Sequence, residues 1–414
     1  MLHRWVETAS PAARRGFVLL AIMSAAFGMS MAMQQNVVTN YFEDILGLAG
    51  PQFGYITAIR EIPGFLLLFL TALFYRMSIP RLTAWALVLL AIGYGLFGVS
   101  NSFWTVTPWV IISSMGYHTV LQTQHALGMS LTTADRAGVV LGRMSAIYSG
   151  GSLAAMLLVF VTFRQGWISF NGAFVLAGLL ALIGAIAAFG IPNLRDGHEV
   201  PHRPRREPIV IRRAYRYYYY LSLLDGARQQ IFFSFGLWVL VNHFRLSVPG
   251  VSALLVVVSL ASMVAGPWIG RMIDVRGERE VLGAINVAYI AALLGYALID
   301  NLYIAAACYL IYSLIFPLSS VGAATYLRKI APVADVAPSL ATGLTLQHAA
   351  AVIVPITAGF ILNFTGYQIP FLIACVFASI TILVTRRLDP VAQRSPAKLA
   401  EEEASLVPAT AEAR

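Results

Sequence analysis

Residues 214–244 read AYRYYYYLSLLDGARQQIFFSFGLWVLVNHF, a mostly apolar run with Asp225, Arg228, Gln229 and Gln230 in its interior. The run is long enough to cross a bilayer as a helix. Just before it, residues 195–213 form a strongly polar stretch with Arg203, Arg205, Arg206, Arg212 and Arg213. A basic linker followed by a span with ionisable groups inside it divides the chain into two similar halves.

Working outward, the whole chain carries the same signature. Its 414 residues are 58% hydrophobic and 11% charged, against about 25% charged in a soluble domain. So little polar surface implies a polytopic membrane protein. In hydrocarbon every backbone N–H and C=O needs an internal partner, which restricts spans to helices or closed barrels. The apolar runs are far longer than the ten-residue alternating strands of a barrel, so an all-α membrane protein with twelve transmembrane helices in two six-helix bundles is expected. The predicted spans are 16–40, 53–75, 82–99, 104–131, 139–162 and 168–191, then 214–243, 248–271, 280–299, 302–326, 339–363 and 368–386. The corresponding domains are an N-terminal bundle over 1–193, a cytoplasmic basic linker over 194–213 and a C-terminal bundle over 214–388. A tail over 389–414 is expected to be disordered or weakly helical, being polar and rich in Ala.

The net charge of +9 would suggest nucleic acid in a soluble protein, but its placement argues for topology. Lys and Arg concentrate in alternate loops: the N-terminus, Arg76 and Arg81, Arg136, the linker, Arg271 to Arg279, Arg328 and Lys329, and the tail from Arg386. The opposite loops hold Glu43, Asp44, Arg164, Arg245 and Asp300. This positive-inside pattern predicts a multi-pass protein of the plasma (inner) membrane with both termini in the cytoplasm. The lipid bilayer is then the partner of the basic loops, and no nucleic acid is expected. The first apolar run lacks a small-residue cleavage site and reads as a retained helix. Cys308 and Cys375 lie in apolar runs and suggest neither disulfide nor zinc.

The halves echo each other. Gln34-Gln35 corresponds to Gln229-Gln230, Arg76-Met77 to Arg271-Met272 at the same offset, and Ala134-Asp135 to Ala334-Asp335 at nearly that offset. Order and spacing favour an internal duplication of the kind two-halved transporters show.

After the eighth span the chain reads GPWIGRMIDVRGER over residues 266–279. This resembles the loop signature of the major facilitator superfamily, Gly-x-x-x-Asp-(Arg/Lys)-x-Gly-(Arg/Lys)-(Arg/Lys). Gly270, Asp274, Gly277 and Arg279 match, whereas Val275 and Glu278 depart from it and Arg276 brings positive charge one place late. The equivalent loop of the first half has Ile79 where the aspartate would be. With the twelve spans and the central basic loop, the resemblance covers residues 15–388. Physically, Gly270 allows close helix approach, Gly277 permits a turn with positive φ, and Asp274 can accept from a neighbouring helix end. These four residues are candidates for a conformational latch, the alternative being a loop that only sets topology.

Ionisable groups at membrane depth cost at least about 2.5–3.5 kcal/mol each and need a reason. The second span holds Arg60 and Glu61, followed by Pro63; adjacent residues lie about 100° apart on a helix, so each is expected to have its own partner across the bundle, either in structural ion pairing that closes the outer end or, for Glu61, in proton coupling. Asp225 and Arg228 are three residues apart on one helical face and can pair. Ser114, His118, Gln122 and His125 fall at steps of four, four and three on the fourth span, one helical face. His118 and His125 lie about 10 Å apart along the axis, too far to chelate one metal ion alone, so no metal is expected. Resemblance implies that the first, fourth, seventh and tenth helices line a central cavity. The candidate cavity residues are Gln35, Asn36, His118, Gln122, His125, Asp225, Arg228, Gln229, Tyr312 and His348, with Glu61 and Asp225 as proton-coupling candidates.

No nucleotide-binding motif, HExxH or nucleophile set occurs, so no cofactor is expected and the protein reads as a non-enzyme. The expected function is secondary active transport of a small organic solute by alternating access, with protons as a candidate coupling ion, by a monomer. The alternatives are an uncoupled facilitator or receptor-like binder of the same fold, or a membrane enzyme acting on a lipid-like substrate.

Overall fold

The computed structural model describes residues 11–66, 77–133, 136–195, 198–199 and 211–406. The helices are α1 (Pro11–Asn40), α2 (Gly50–Phe65), α3 (Ile79–Gly95), α4 (Phe103–Ser130), α5 (Ala137–Arg164) and α6 (Phe170–Phe189). Then follow α7 (Arg216–Asn242), the helical run Val248–Leu298, α10 (Leu302–Ile330), α11 (Val333–Thr365), α12 (Gln368–Thr385) and α13 (Pro396–Leu406). The run Val248–Leu298 breaks at Gly277, where φ is 77° and ψ is 162°. An L side chain rarely adopts that backbone conformation, and glycine does so freely. The break separates α8 (248–276) from α9 (278–298), so α1–α12 fall on the twelve predicted spans. The fold is all-α; strand structure among the described residues is limited to the two-residue pair Leu194–Arg195 with His198–Glu199 in the linker.

Helix ends follow local chemistry. Ser102, Ser169 and Asn301 accept backbone N–H groups of the first turns of α4, α6 and α10, satisfying donors that have no intrahelical partner. Gly366, with φ 78°, terminates α11. The residues Tyr41–Ile45 extend α1 as a π-helical turn.

Among the described residues, nine helical segments are long and apolar enough to cross a membrane. The remaining three are α2, α4 and α7. The described part of α2 is only 16 residues long, whereas α4 and α7 are diluted by Ser, Thr, His, Gln and charged residues.

The chain divides into two compact units, one of Met1–Arg205 with Leu237–Ser259, the other of Arg206–Gly236 with Leu260–Arg414. In the first, α3 packs on α4 and α6, α1 packs on α5 and α6, and α2 on α4. Small residues set these distances: a Cβ on Gly93 would lie 2.5 Å from the Ser113 Cβ, and one on Gly178 would lie 2.7 Å from the Ala91 carbonyl oxygen. Lipid tails are as apolar as leucine, so close van der Waals contact between backbones replaces the hydrophobic drive of water. At one end of this unit Glu43 accepts from Trp238 Nε1 at 3.1 Å and from Asn242 Nδ2, with Arg245 Nη1 at 4.0 Å. These contacts hold the last turns of α7 against the end of α1.

In the second unit the start of α11 and the segment before α7 are tied by polar contacts. Asp335, in the first turn of α11, pairs with Arg212 Nε at 2.6 Å and accepts from the Tyr215 hydroxyl at 2.7 Å. The tail is folded over residues 386–406. The Tyr326 hydroxyl donates to Gln393 Oε1 at 2.6 Å, the Ser395 N–H to the Ile330 carbonyl at 2.9 Å, and the Val333 N–H to Glu401 Oε1 at 3.3 Å.

Candidate functional site

In the N-terminal unit α2 and α4 bring the predicted Glu61 and His118 together. His118 Nε2 lies 3.6 Å from Glu61 Oε2, and both residues are buried. On its other side His118 Nδ1 is 3.0 Å from the Ser114 hydroxyl and 3.1 Å from the Ser114 carbonyl. The same Ser114 hydroxyl donates to the Arg60 carbonyl. Pro63, which lacks an N–H, breaks the α2 ladder at the neighbouring Ile59 carbonyl. Arg60 Nε and Nη2 both reach Glu61 Oε1 at 3.3 Å, and the Arg60 side chain is 48% exposed. Tyr117 borders the cluster, its ring edge-on to the His118 ring with centroids 4.9 Å apart. Further along α4, Gln122 and His125 are exposed, whereas Val120 and Leu127 are fully buried. On α1, Asn36 is buried with its amide bonded to the Ala32 carbonyl at 2.6 Å, while Gln35 is exposed.

In the C-terminal unit the predicted pair is present and enclosed. Arg228 is 0% exposed and donates from Nη2 to Asp225 Oδ1. It also donates from Nε to Tyr312 Oη at 3.2 Å, from Nη1 to Asn286 Oδ1 at 2.8 Å and from Nη2 to Ser319 Oγ at 3.2 Å. Phe232 stacks on Tyr312 at 3.7 Å between centroids. A buried guanidinium bonded on every edge and carrying its own counter-ion satisfies the condition for keeping charge at membrane depth. Sequence reasoning found Asp225, Arg228 and Tyr312 but missed Asn286, Tyr289 and Ser319. Asn286 and Tyr289, three apart in an otherwise apolar span, were the available signal.

The remaining predicted residues are placed as follows. Gln229 is buried on α7, and His348 is half-buried on α11. Gly226, on α7, serves close approach: a Cβ there would be 3.0 Å from the Gln347 Cα. In the loop signature the Asp274 side chain lies outside the described residues, as do Arg76 and Asp135. Arg279 is exposed. Glu278, where the signature has a basic residue, is buried and pairs with Lys329 Nζ at 2.6 Å.

Comparison of the fold identifies its class. The nucleoside transporter NupG superposes with a TM-score of 0.70 over 91% of this chain and 98% of its own, at 15% identity. A bacterial homolog of the human lysosomal transporter Spinster, in an inward-facing and occupied conformation, gives 0.72 over 94% and 100%, at 14% identity. An auto-inhibited peptide transporter of the POT family gives 0.70 over 91% and 97%, at 12% identity. The sequence model of the Major Facilitator Superfamily matches residues 219–414. The chain has the Major Facilitator Superfamily fold. It is a multi-pass membrane protein, with nine long apolar helical segments among the described residues. A comparison with curated protein sequences finds no match. Within the superfamily fold, the departure at Glu278 is balanced inside the same unit, because the acidic replacement has recruited Lys329 from the end of α10.

Proposed function

We propose that this protein is a secondary transporter that moves a small organic solute across the membrane by alternating access, with Glu61 as the proton-coupling carboxylate. In this reading two six-helix bundles, residues 1–193 and 214–388, rock about a solute site near the bilayer midplane and expose it to each side in turn. Both termini face the cytoplasm of a plasma (inner) membrane, and the monomer is the working unit. The similar solved structures named for nucleoside, Spinster-type and peptide transport support solute movement as the activity.

The observation that carries the reading is the contrast between the two buried carboxylates. Asp225 belongs to a closed network whose cation is bonded to four different side chains, which suits a fixed structural charge. Glu61 sits between an exposed guanidinium and a buried imidazole, which suits a group that exchanges protons with water. Only a carboxylate in a shifted environment, or a histidine, loads and releases protons near neutral pH.

The test is uptake by proteoliposomes under an imposed proton gradient. Coupled transport requires accumulation above equilibrium that collapses with a protonophore. Glu61→Gln should abolish accumulation and keep exchange down a gradient. Accumulation by Glu61→Gln at the wild-type level would remove Glu61 from the mechanism. Equilibration without accumulation in the wild type would leave a facilitator.

A further inference from the structure

We infer that the N-terminal unit binds the anionic group of an organic anion through Arg60, with Tyr117 and Tyr148 forming the wall for its apolar body. This rests on the transporter reading and adds the chemical class of the substrate.

Arg60 stands ten residues inside the start of α2, roughly 15 Å along the helix axis, which is about half of a hydrocarbon core of roughly 30 Å. Arginine keeps its charge under all ordinary conditions. A guanidinium 48% exposed at that depth must face water, because hydrocarbon would not tolerate it. The other cation found at comparable depth by its sequence position, Arg228, has no exposed surface.

The hydrogen bonding of Arg60 is also incomplete. Its two donors to Glu61 converge on one oxygen at 3.3 Å, slightly beyond the ordinary N–H···O range. Neighbouring residues on a helix cannot align fork to fork, so the paired geometry that makes Arg–carboxylate contacts strong is absent. Among the described residues, nothing hydrogen-bonds Arg60 Nη1. A guanidinium has five N–H donors in a plane that matches two oxygens of a carboxylate or phosphate. An incoming anion would therefore find an open edge at a site already hydrated.

The aromatic side follows from the neighbours. Tyr117 and Tyr148 are both partly exposed, and the Tyr117 ring stands edge-on to His118 with centroids 4.9 Å apart, His118 being the partner of Glu61 at 3.6 Å. Tyr148 is braced by Phe27, with ring centroids 5.5 Å apart. Glu61 beside Arg60 supplies one negative charge, so a bound anion competes with it for the guanidinium. That competition gives the transport cycle its exchange: the anion displaces Glu61, and Glu61 without its cation takes up a proton.

The experiment uses the purified full-length protein with benzoate and phenyl phosphate as probes and benzyl alcohol as the neutral isostere. Phenylglyoxal, which modifies accessible guanidinium groups, should label Arg60 in the folded protein and spare Arg228, as read by mass spectrometry of the peptides. At least one anion should protect Arg60 from labelling, and benzyl alcohol should not. Calorimetric titration should show Arg60→Gln weakening that anion at least tenfold, with Arg60→Lys falling between, since it keeps charge and loses the fork. If Arg60→Gln fails to fold because Glu61 is stranded, Arg60→Gln with Glu61→Gln removes both charges and should show the same loss. An unlabelled Arg60, labelling that neither anion reduces, or equal affinity in the glutamine variant would each overturn the proposal. Failure of the transporter reading looks different: Arg60-dependent anion binding would persist while proteoliposomes moved no solute. Conversely, transport of a neutral solute undiminished in Arg60→Gln would remove the anion site and leave the transporter.

Discussion

The Arg228 guanidinium carbon sits 3.6 Å from the centroid of the Tyr289 ring. One face of the cation is thus covered by an aromatic ring, while its edges are used by Asp225, Asn286, Tyr312 and Ser319. Such a cluster is worth keeping whole, because removing one member strands a charge in a desolvated site.

Asp225→Asn should therefore destabilise the protein by about 3–5 kcal/mol, the usual cost of breaking a buried pair. Asp225→Asn combined with Arg228→Gln should recover much of that loss in thermal unfolding. If the cluster is purely structural, the refolded double variant should also support uphill uptake. A double variant that is stable and exchanges solute but never concentrates it would transfer the coupling role from Glu61 to Asp225.

On α4 the prediction concerns accessibility. Single cysteines at Gln122 and His125 should react with a water-soluble thiol reagent, since both positions are exposed. Cysteines at Val120 and Leu127, each 0% exposed, should be protected. Equal protection at all four would mean that the polar face of α4 never meets water.

Glu278 and Lys329 offer a charge-exchange test. Lys329→Ala should cost about 1.5–3 kcal/mol, the worth of hydrogen bonds to charged groups, because Glu278 is nearly inaccessible. Lys329→Glu should cost more by placing two like charges together. Glu278→Lys with Lys329→Glu should return most of the stability in a denaturation assay. Additive losses in the double variant would show that the two residues act independently.

The tail gives a pH dependence. The Lys398 side chain, and next the Val333 N–H, hold the Glu401 carboxyl below its ordinary value of 4.5. A carboxyl depressed in the folded state stabilises above its unfolded pKa, and this contribution disappears as pH falls through the folded value. Hydrogen exchange should therefore show residues 396–406 protected at neutral pH and loosened only below the ordinary carboxylate range. Glu401→Gln should remove the pH dependence. The shift belongs to an exposed group, so salt should reduce it as well.

The helices, their number and their order were legible in the sequence because a bilayer imposes one length and one polarity on every span. The runs between residues 16 and 386 needed no tertiary information. Gly277 was readable for the same reason, since a glycine between charged residues at a loop signature invites positive φ. Helical spacing also placed Asp225 beside Arg228, three residues apart on one face. What the chain could not reveal was which side chains from other helices complete each cluster. Asn286, Tyr289 and Ser319 meet Arg228 only because α9 and α10 cross α7 at one depth, and helix crossings are set by contacts distant in sequence. The same holds for Lys329 opposite Glu278 and for His118 opposite Glu61. Residue order alone places charge within the spans; contacts between helices decide which charges are enclosed, as at Arg228, and which keep an exposed face, as at Arg60.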